Sequence, residues 1–273
     1  MRYQNIGFIG CGNMGGALAK CAAKGVRRLG DGQIWLSNFS EKKAAALAEC
    51  TGGAPASNAA LAECCDLLFL GVKPQMLKGV LSEISPILAA RTDRFVLVSM
   101  VAGVPIARIT ELLGGAYPLI RIMPNTAAAV GAGMVQFCSE GVTDAETDAF
   151  VSLMADAGLF DELPEHLIDA ASAVSGCGTA YLCLVLEGMA DGGVALGLSR
   201  EKALRYAAKT IEGLGRLYLE TGAHPGVIKD GVTSPGGTTI RGVHALENRA
   251  VRAAFAEAVL AAFARTEALK KST

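Results

Sequence analysis

The residues best equipped for chemistry lie at opposite ends of the 273-residue chain. Near the start, Gly10-Cys11-Gly12-Asn13-Met14-Gly15 has the GxGxxG spacing. The first glycine permits a tight turn, the second lets backbone amides approach a pyrophosphate, and the third lets a helix pack closely on a strand. With a strand before it and a helix after, such a turn offers unpaired N–H donors to a dinucleotide. A plain glycine-rich turn is the alternative. Toward the other end, Asp230 to Glu247 reads DGVTSPGGTTIRGVHALE. Pro235 holds Ser234 extended. Gly236 and Gly237 can take positive φ and leave backbone N–H groups uncovered. Thr238 and Thr239 add hydroxyls where a helix begins. This pattern suits a carboxylate held at a helix N-terminus. A Pro-Gly turn with threonine as helix N-cap fits the same residues.

The elements that must position these groups differ between the two halves. In the first half, apolar runs predict strands over Asn5–Ile9, Gln33–Ser37, Asp66–Val72, Phe95–Ser99 and Pro118–Ile122. Helices are predicted between them, over Asn13–Lys24, Glu41–Glu49, Met76–Leu88 and Ile106–Leu113. Alternating strands and helices imply βαβ units in a mostly parallel sheet, a Rossmann-like α/β domain. From Leu167 onward the pattern is almost wholly helical. The run LIDAASAVSGCGTAYLCLVLEGMADGGVALGL is apolar nearly all round, and a helix without a polar face needs burial on every side. A subunit interface is therefore expected there. The boundary is placed at Glu162-Leu163-Pro164, giving a dinucleotide-binding domain 1–163 and an all-α substrate-binding and dimerisation domain 164–273.

In an open parallel sheet, ligands sit beyond the carboxyl ends of the strands. That places Ser37 and Asn38, Val72-Lys73-Pro74, and Ala102-Gly103 at the cofactor edge. Met123-Pro124-Asn125-Thr126 follows the last predicted strand, so Asn125 is expected near the nicotinamide. Asn58 lies in the loop PASNAAL, where a helix N-cap is its default role. No carboxylate closes the second strand, which is where NAD sites hold a ribose hydroxyl. Ser37, Asn38 and Lys42 would tolerate a 2′-phosphate. The expected cofactor is NADPH (NADP+), with NADH as the alternative; a merely solvated Lys42 weighs equally.

Composition narrows the function classes. The net charge is −1 with no long run of either sign, which argues against nucleic acid and against an electrostatic membrane anchor. Hydrophobic residues make up 51 % and aromatics 5 %, so the core is expected to be aliphatic and alanine-rich. Eight cysteines occur without a CxxC pair, which reads as free thiols in a reducing cytoplasm. The opening MRYQNIGFIG lacks a secretory signal pattern. The uncharged stretch Phe95 to Ala107 is too short to span a bilayer. His166, His224 and His244 have no ligand spacing, so no metal is expected.

The residues also carry a resemblance. HPGVIKDGVTSPGGTTIRGVHALE resembles the signature of the pyrroline-5-carboxylate reductase family. The helical run above, with Ala190-Asp191-Gly192-Gly193-Val194, is similar to that family's helical core. FIGCGNMGGALA, FLGVKPQ, AGV and RIMPNTA follow its N-terminal landmarks in order. The resemblance covers Ile6 to about Leu269. It implies reduction of the cyclic imine 1-pyrroline-5-carboxylate to L-proline, with hydride passing from nicotinamide C4 to the imine carbon. It implies a homodimer through the helical domain, assembled into a larger ring such as a decamer, with each site completed by the partner. Carried over by position, the amides of Gly237, Thr238 and Thr239 hold the substrate carboxylate, and the Thr239 hydroxyl bonds the ring nitrogen. Ser234 shapes that catalytic loop, and Glu165 lies near the proline product. Two departures stand out: Cys177-Gly178-Thr179 where the family has Ser-Gly-Pro, and Gly231 where it often has Asn.

The chemistry agrees with the residue types. An imine nitrogen is readily protonated, so positioning and carboxylate capture matter more than a strong acid. The loop supplies amides and hydroxyls, and lone histidines such as His224 and His244 are more often structural. The nearest rival is a β-hydroxyacid-type dehydrogenase, which needs a lysine early in the second domain. None occurs between His166 and Glu201. A non-enzymatic NADP-binding sensor or scaffold would need no intact Pro-Gly-Gly-Thr-Thr loop.

Overall fold

The computed structural model describes residues 3–30 and 32–270. Its first half alternates β1 (Asn5–Ile9), α1 (Asn13–Leu29), β2 (Gln33–Ser37), α2 (Glu41–Thr51), β3 (Ala54–Pro55), α3 (Asn58–Cys64), β4 (Leu67–Leu70), α4 (Pro74–Ala90), β5 (Val96–Ser99), α5 (Ile106–Leu113) and β6 (Leu119–Pro124). Then come β7 (Gly133–Glu140), α6 (Asp144–Met154), β8 (Gly158–Glu162) and α7 (Glu165–Ser175). The strands form one sheet in the order β3-β2-β1-β4-β5-β6-β7-β8. Every neighbouring pair is parallel except β6 with β7.

Residue alternation along the strands divides the core in two. Phe8, Leu67, Phe69, Val96, Val98, Ile120 and Ile122 face one apolar layer. Ile9, Leu68, Leu70, Leu97 and Leu119 face the other. Helices cover both faces, which is why β4 is apolar throughout and β5 is apolar up to Ser99. On the first layer α1 buries Leu18, Cys21, Ala22 and Gly25, the stripe spacing of an amphipathic helix. It ends at Gly30 with φ 78°, after Arg27 and Arg28 in the last turn. The core is less uniformly aliphatic than its composition suggested: Phe8 stacks on Phe69 at 4.2 Å, and Phe137, Phe150 and Phe160 extend the group.

The chain divides into two compact units, one running to Gly176 and resuming at Phe263, the other Cys177–Ala262. The first reaches past the 163/164 boundary because Ile168 of α7 is fully buried in the second apolar layer. The other unit holds α8 (Gly178–Ala195), α9 (Arg200–Thr221), α10 (Pro225–Gly231), α11 (Thr238–Glu247) and most of α12 (Val251–Lys270). Tyr181 of α8 donates its hydroxyl to the Ala258 carbonyl of α12 (3.1 Å). The uncharged run Ala170–Leu186 is longer than Phe95–Ala107. By length and composition Glu165–Ala195 could cross a bilayer. Within a single chain α8 leaves Leu182, Leu184 and Met189 exposed, so the expected burial of this helix is not met by its own protomer.

Candidate active site

The glycine motif takes the shape its chemistry requires. Gly10 follows β1 with φ 96°, and a Cβ there would lie 2.6 Å from the Gly71 carbonyl oxygen. A Cβ on Gly15 would lie 2.1 Å from the Gly10 carbonyl oxygen, so α1 packs against the turn only because that position is glycine. A Cβ on Gly12 would meet nothing within 4 Å; its face is open. Gly12 is also the N-cap of α1, no side chain caps that helix, and its first turn has no acid. The open face and uncapped donors fit a pyrophosphate.

This helix start borders a groove of about 680 Å³ at the carboxyl ends of β1, β2 and β4. In register Ile9 pairs with both Ser37 and Leu70, so three strand ends meet there. The groove gathers Gly10, Gly12, Ser37, Asn38, Asn58, Val72 and Lys73, all expected at a cofactor edge. Around it, Cys11 points inward: its thiol is buried and pushed up to about 11 by desolvation, so it adds no negative charge. Its backbone N–H donates to Asn38 Oδ1 (3.2 Å). Asn13 opens α1, exposed, while Met14 packs against the core. Pro74 is the first residue of α4 and Lys73 its N-cap. Ala102 and Gly103 turn the chain after β5, with Gly103 at φ 72°.

One residue differs from the role expected of it. Ser57, not Asn58, caps α3, accepting from the Ala60 amide (3.1 Å). Asn58 is left to link Ser37 and Glu83 across the groove. Asn125 has a carboxamide already engaged, donating to the Ser175 carbonyl and accepting from the Met134 amide (both 3.2 Å). The sequence reading missed the groove wall from α4, where Gln75, Met76, Gly79, Val80 and Glu83 recur at helical spacing. It also missed Phe39, 97 % exposed at the rim.

Glu165 opens α7 as a partly buried carboxylate. Its Oε1 accepts from the Ile106 amide (2.7 Å) at the start of α5 and from Arg121 Nη1 (3.3 Å). Arg121 is itself 1 % exposed. Glu165 borders a pocket of about 480 Å³ with Leu163 and Pro164.

The Pro-Gly-Gly-Thr-Thr loop, within the helical unit, forms a tight turn. Gly236 takes φ 68°, and the Gly237 amide donates to the Ser234 carbonyl (3.0 Å). Pro at the second place and a left-handed glycine at the third are the marks of a type II turn. Gly237 is extended, not left-handed, and serves as N-cap of α11 without a side-chain cap. Thr238 and Thr239 therefore begin the helix with exposed amides, and among the described residues the Thr239 hydroxyl has no partner. His224 caps α10 by accepting from the Gly226 amide (3.1 Å). Gly231 is the last residue of that helix. Despite Thr179 in place of proline, α8 starts at Gly178.

Known proteins match both halves. Residues 165–269 match the family model for pyrroline-5-carboxylate reductase dimerisation. Residues 5–103 match that of the NADP oxidoreductases described as coenzyme F420-dependent. The pyrroline-5-carboxylate reductase of Escherichia coli (strain K12) is 39 % identical over 272 residues, covering 98 % of this chain and 99 % of that protein. The solved reductase of Coxiella burnetii superposes with a TM-score of 0.86 at 32 % identity, over 97 % of this chain and 98 % of that one. The Plasmodium falciparum pyrroline carboxylate reductase, solved with NADP bound, gives a TM-score of 0.85 at 31 % identity over 98 % of each chain.

Proposed function

The chain belongs to the pyrroline-5-carboxylate reductase family, and from that premise we propose how its own residues serve the reaction. The reaction is reduction of 1-pyrroline-5-carboxylate to L-proline at the expense of NAD(P)H, the closing step of proline synthesis. The observation that carries it is the similarity to the Escherichia coli reductase along nearly the whole of both chains.

The groove at β1, β2 and β4 holds the dinucleotide. The open face of Gly12 at the start of α1 would hold its pyrophosphate, and Ser37, Asn38 and Asn58 would hold its adenosine end. Bound there, NADPH supplies a hydride to the imine carbon. The substrate carboxylate sits at the start of α11 in the helical unit that the partner protomer brings to this groove. With the Gly237 amide committed to Ser234, the Thr238 and Thr239 amides hold it. The Thr239 hydroxyl meets the ring nitrogen, and Ser234 keeps the turn closed. The imine enters protonated, so Thr239 needs only to orient the ring. Glu165, anchored by Arg121 and the Ile106 amide, borders the proline end.

The helical segment 164–273 joins two protomers as a homodimer, and such dimers assemble into a ring in the cytoplasm. The exposed apolar residues of α8 supply the contact. The test is oxidation of NADPH with 1-pyrroline-5-carboxylate, beside an NADH control and a blank without imine. Turnover that yields proline is expected. A folded oligomer that binds NADPH and reduces no cyclic imine would overturn the assignment.

A further inference from the structure

A three-residue hydrogen-bond chain crosses the groove wall. Ser37 Oγ lies 2.6 Å from Asn58 Oδ1, and Asn58 Nδ2 lies 2.8 Å from Glu83 Oε2. The three come from β2, α3 and α4 and line the same groove. The direction of the chain follows from chemistry. An ionised carboxylate only accepts hydrogen bonds. Asn58 must therefore turn its amide nitrogen to Glu83, which leaves its carbonyl facing Ser37. A carbonyl also only accepts, so Ser37 must spend its proton on Asn58. What Ser37 then offers the groove is a lone pair.

We propose that Glu83, acting through Asn58, fixes Ser37 as an acceptor and thereby moderates the preference for a 2′-phosphorylated cofactor. This rests on the groove being the dinucleotide site. Ser37 closes β2, the strand end from which such sites reach the adenosine ribose. A ribose 2′-hydroxyl can donate to Ser37 Oγ. A 2′-phosphate carries only acceptors and gains nothing from it. Asn38, the next residue, is oriented by two bonds: one Nδ2 hydrogen goes to the Ser40 carbonyl (3.3 Å) and Oδ1 accepts from the Cys11 amide, which leaves the second Nδ2 hydrogen as a donor beside Ser37. The one proton of Ser37 is thus committed, through Asn58, by a carboxylate 46 positions further along the chain. Glu83 is a positioning residue in this scheme.

The experiment measures dissociation constants for NADPH and for NADH from nicotinamide fluorescence, on the assembled protein without substrate. Wild type is compared with Glu83→Ala, Glu83→Gln, Ser37→Ala and the Ser37→Ala/Glu83→Ala double variant. Glu83 is exposed on α4, so its substitution leaves the fold intact, which thermal melting checks. Glu83→Ala frees Asn58 to turn over and Ser37 to donate, so affinity for NADPH relative to NADH rises about tenfold. Glu83→Gln keeps an acceptor for Asn58 and stays within about twofold of the wild-type ratio. In the Ser37→Ala background the Glu83→Ala change disappears. An unchanged ratio in Glu83→Ala, an equal rise in Glu83→Gln, or an undiminished effect without Ser37 would each overturn the relay. A wild-type protein that binds neither cofactor would overturn it together with the assignment of the groove.

Discussion

Arg121 and Asp169 form an ion pair out of reach of water: Nη2 donates to Oδ1 at 2.8 Å, and the side chains are 2 % and 3 % exposed. The pair ties β6 to α7, and Lys270 meets the second oxygen of Asp169 at 2.6 Å. Removing one partner of a buried pair strands the other, at a cost of about 3–5 kcal/mol. Asp169→Ala is expected to lose stability on that scale in denaturant titration. A loss below about 1 kcal/mol would show that Glu165 alone satisfies Arg121.

The three motif glycines should separate by readout. Gly15→Ala drives a Cβ into the Gly10 carbonyl and costs a few kcal/mol of stability. Gly12→Ala places its methyl in open space, so melting barely moves while NADPH affinity falls more than about tenfold. Wild-type affinity in Gly12→Ala would remove the pyrophosphate from this helix start.

Thr239→Ala is expected to lower kcat about tenfold, the worth of one hydrogen bond strengthened in the transition state. NADPH affinity should stay the same if, as proposed, the hydroxyl serves the ring nitrogen. Parallel loss of cofactor binding would place Thr239 in the cofactor site instead.

Glu146 predicts the acid limb of stability. The Arg94 guanidinium, at 2.7 Å, holds its carboxyl down to about 2, helped by the Thr143 amide and hydroxyl of a capping box. Folding thus favours the ionised form. The stabilisation is complete above the ordinary carboxylate range and drains away as pH falls toward 2. It amounts to roughly 2–3 kcal/mol, since Arg94 is half exposed. Glu146→Gln should lower stability at neutral pH and flatten its decline below about pH 5. An acid limb of unchanged steepness would assign it to other carboxylates.

What could be read from the sequence was what is local. GxGxxG is a contiguous turn, β4 is an uninterrupted apolar run, and β1 and β5 are apolar but for Asn5 and Ser99 at their ends. The region after Asn125 hid two strands. β7 carries Gln136 and Ser139 among its apolar residues, and β8 ends in exposed Asp161 and Glu162, so neither shows a clean alternation. Nothing near Arg121 in the sequence signals its ion pairs, because its carboxylate partners stand 44 and 48 residues away. No local motif marks Glu83; only the fold brings α4 against the end of β2. The Pro-Gly-Gly-Thr-Thr loop was read both as a turn and as an anion site. The turn exists, and it consumes the Gly237 amide that a site would otherwise use.

The apolar flank of the helical unit ties the protein's stability to its abundance. Leu184 and Leu219 are each 70 % exposed on one protomer, and Leu260 is 66 % exposed. Apolar surface that oligomerisation covers stabilises the fold by mass action. The melting temperature rises with protein concentration, and dilution erodes helix content and turnover together. Newly made protomers accordingly depend on finding one another before this flank recruits something else.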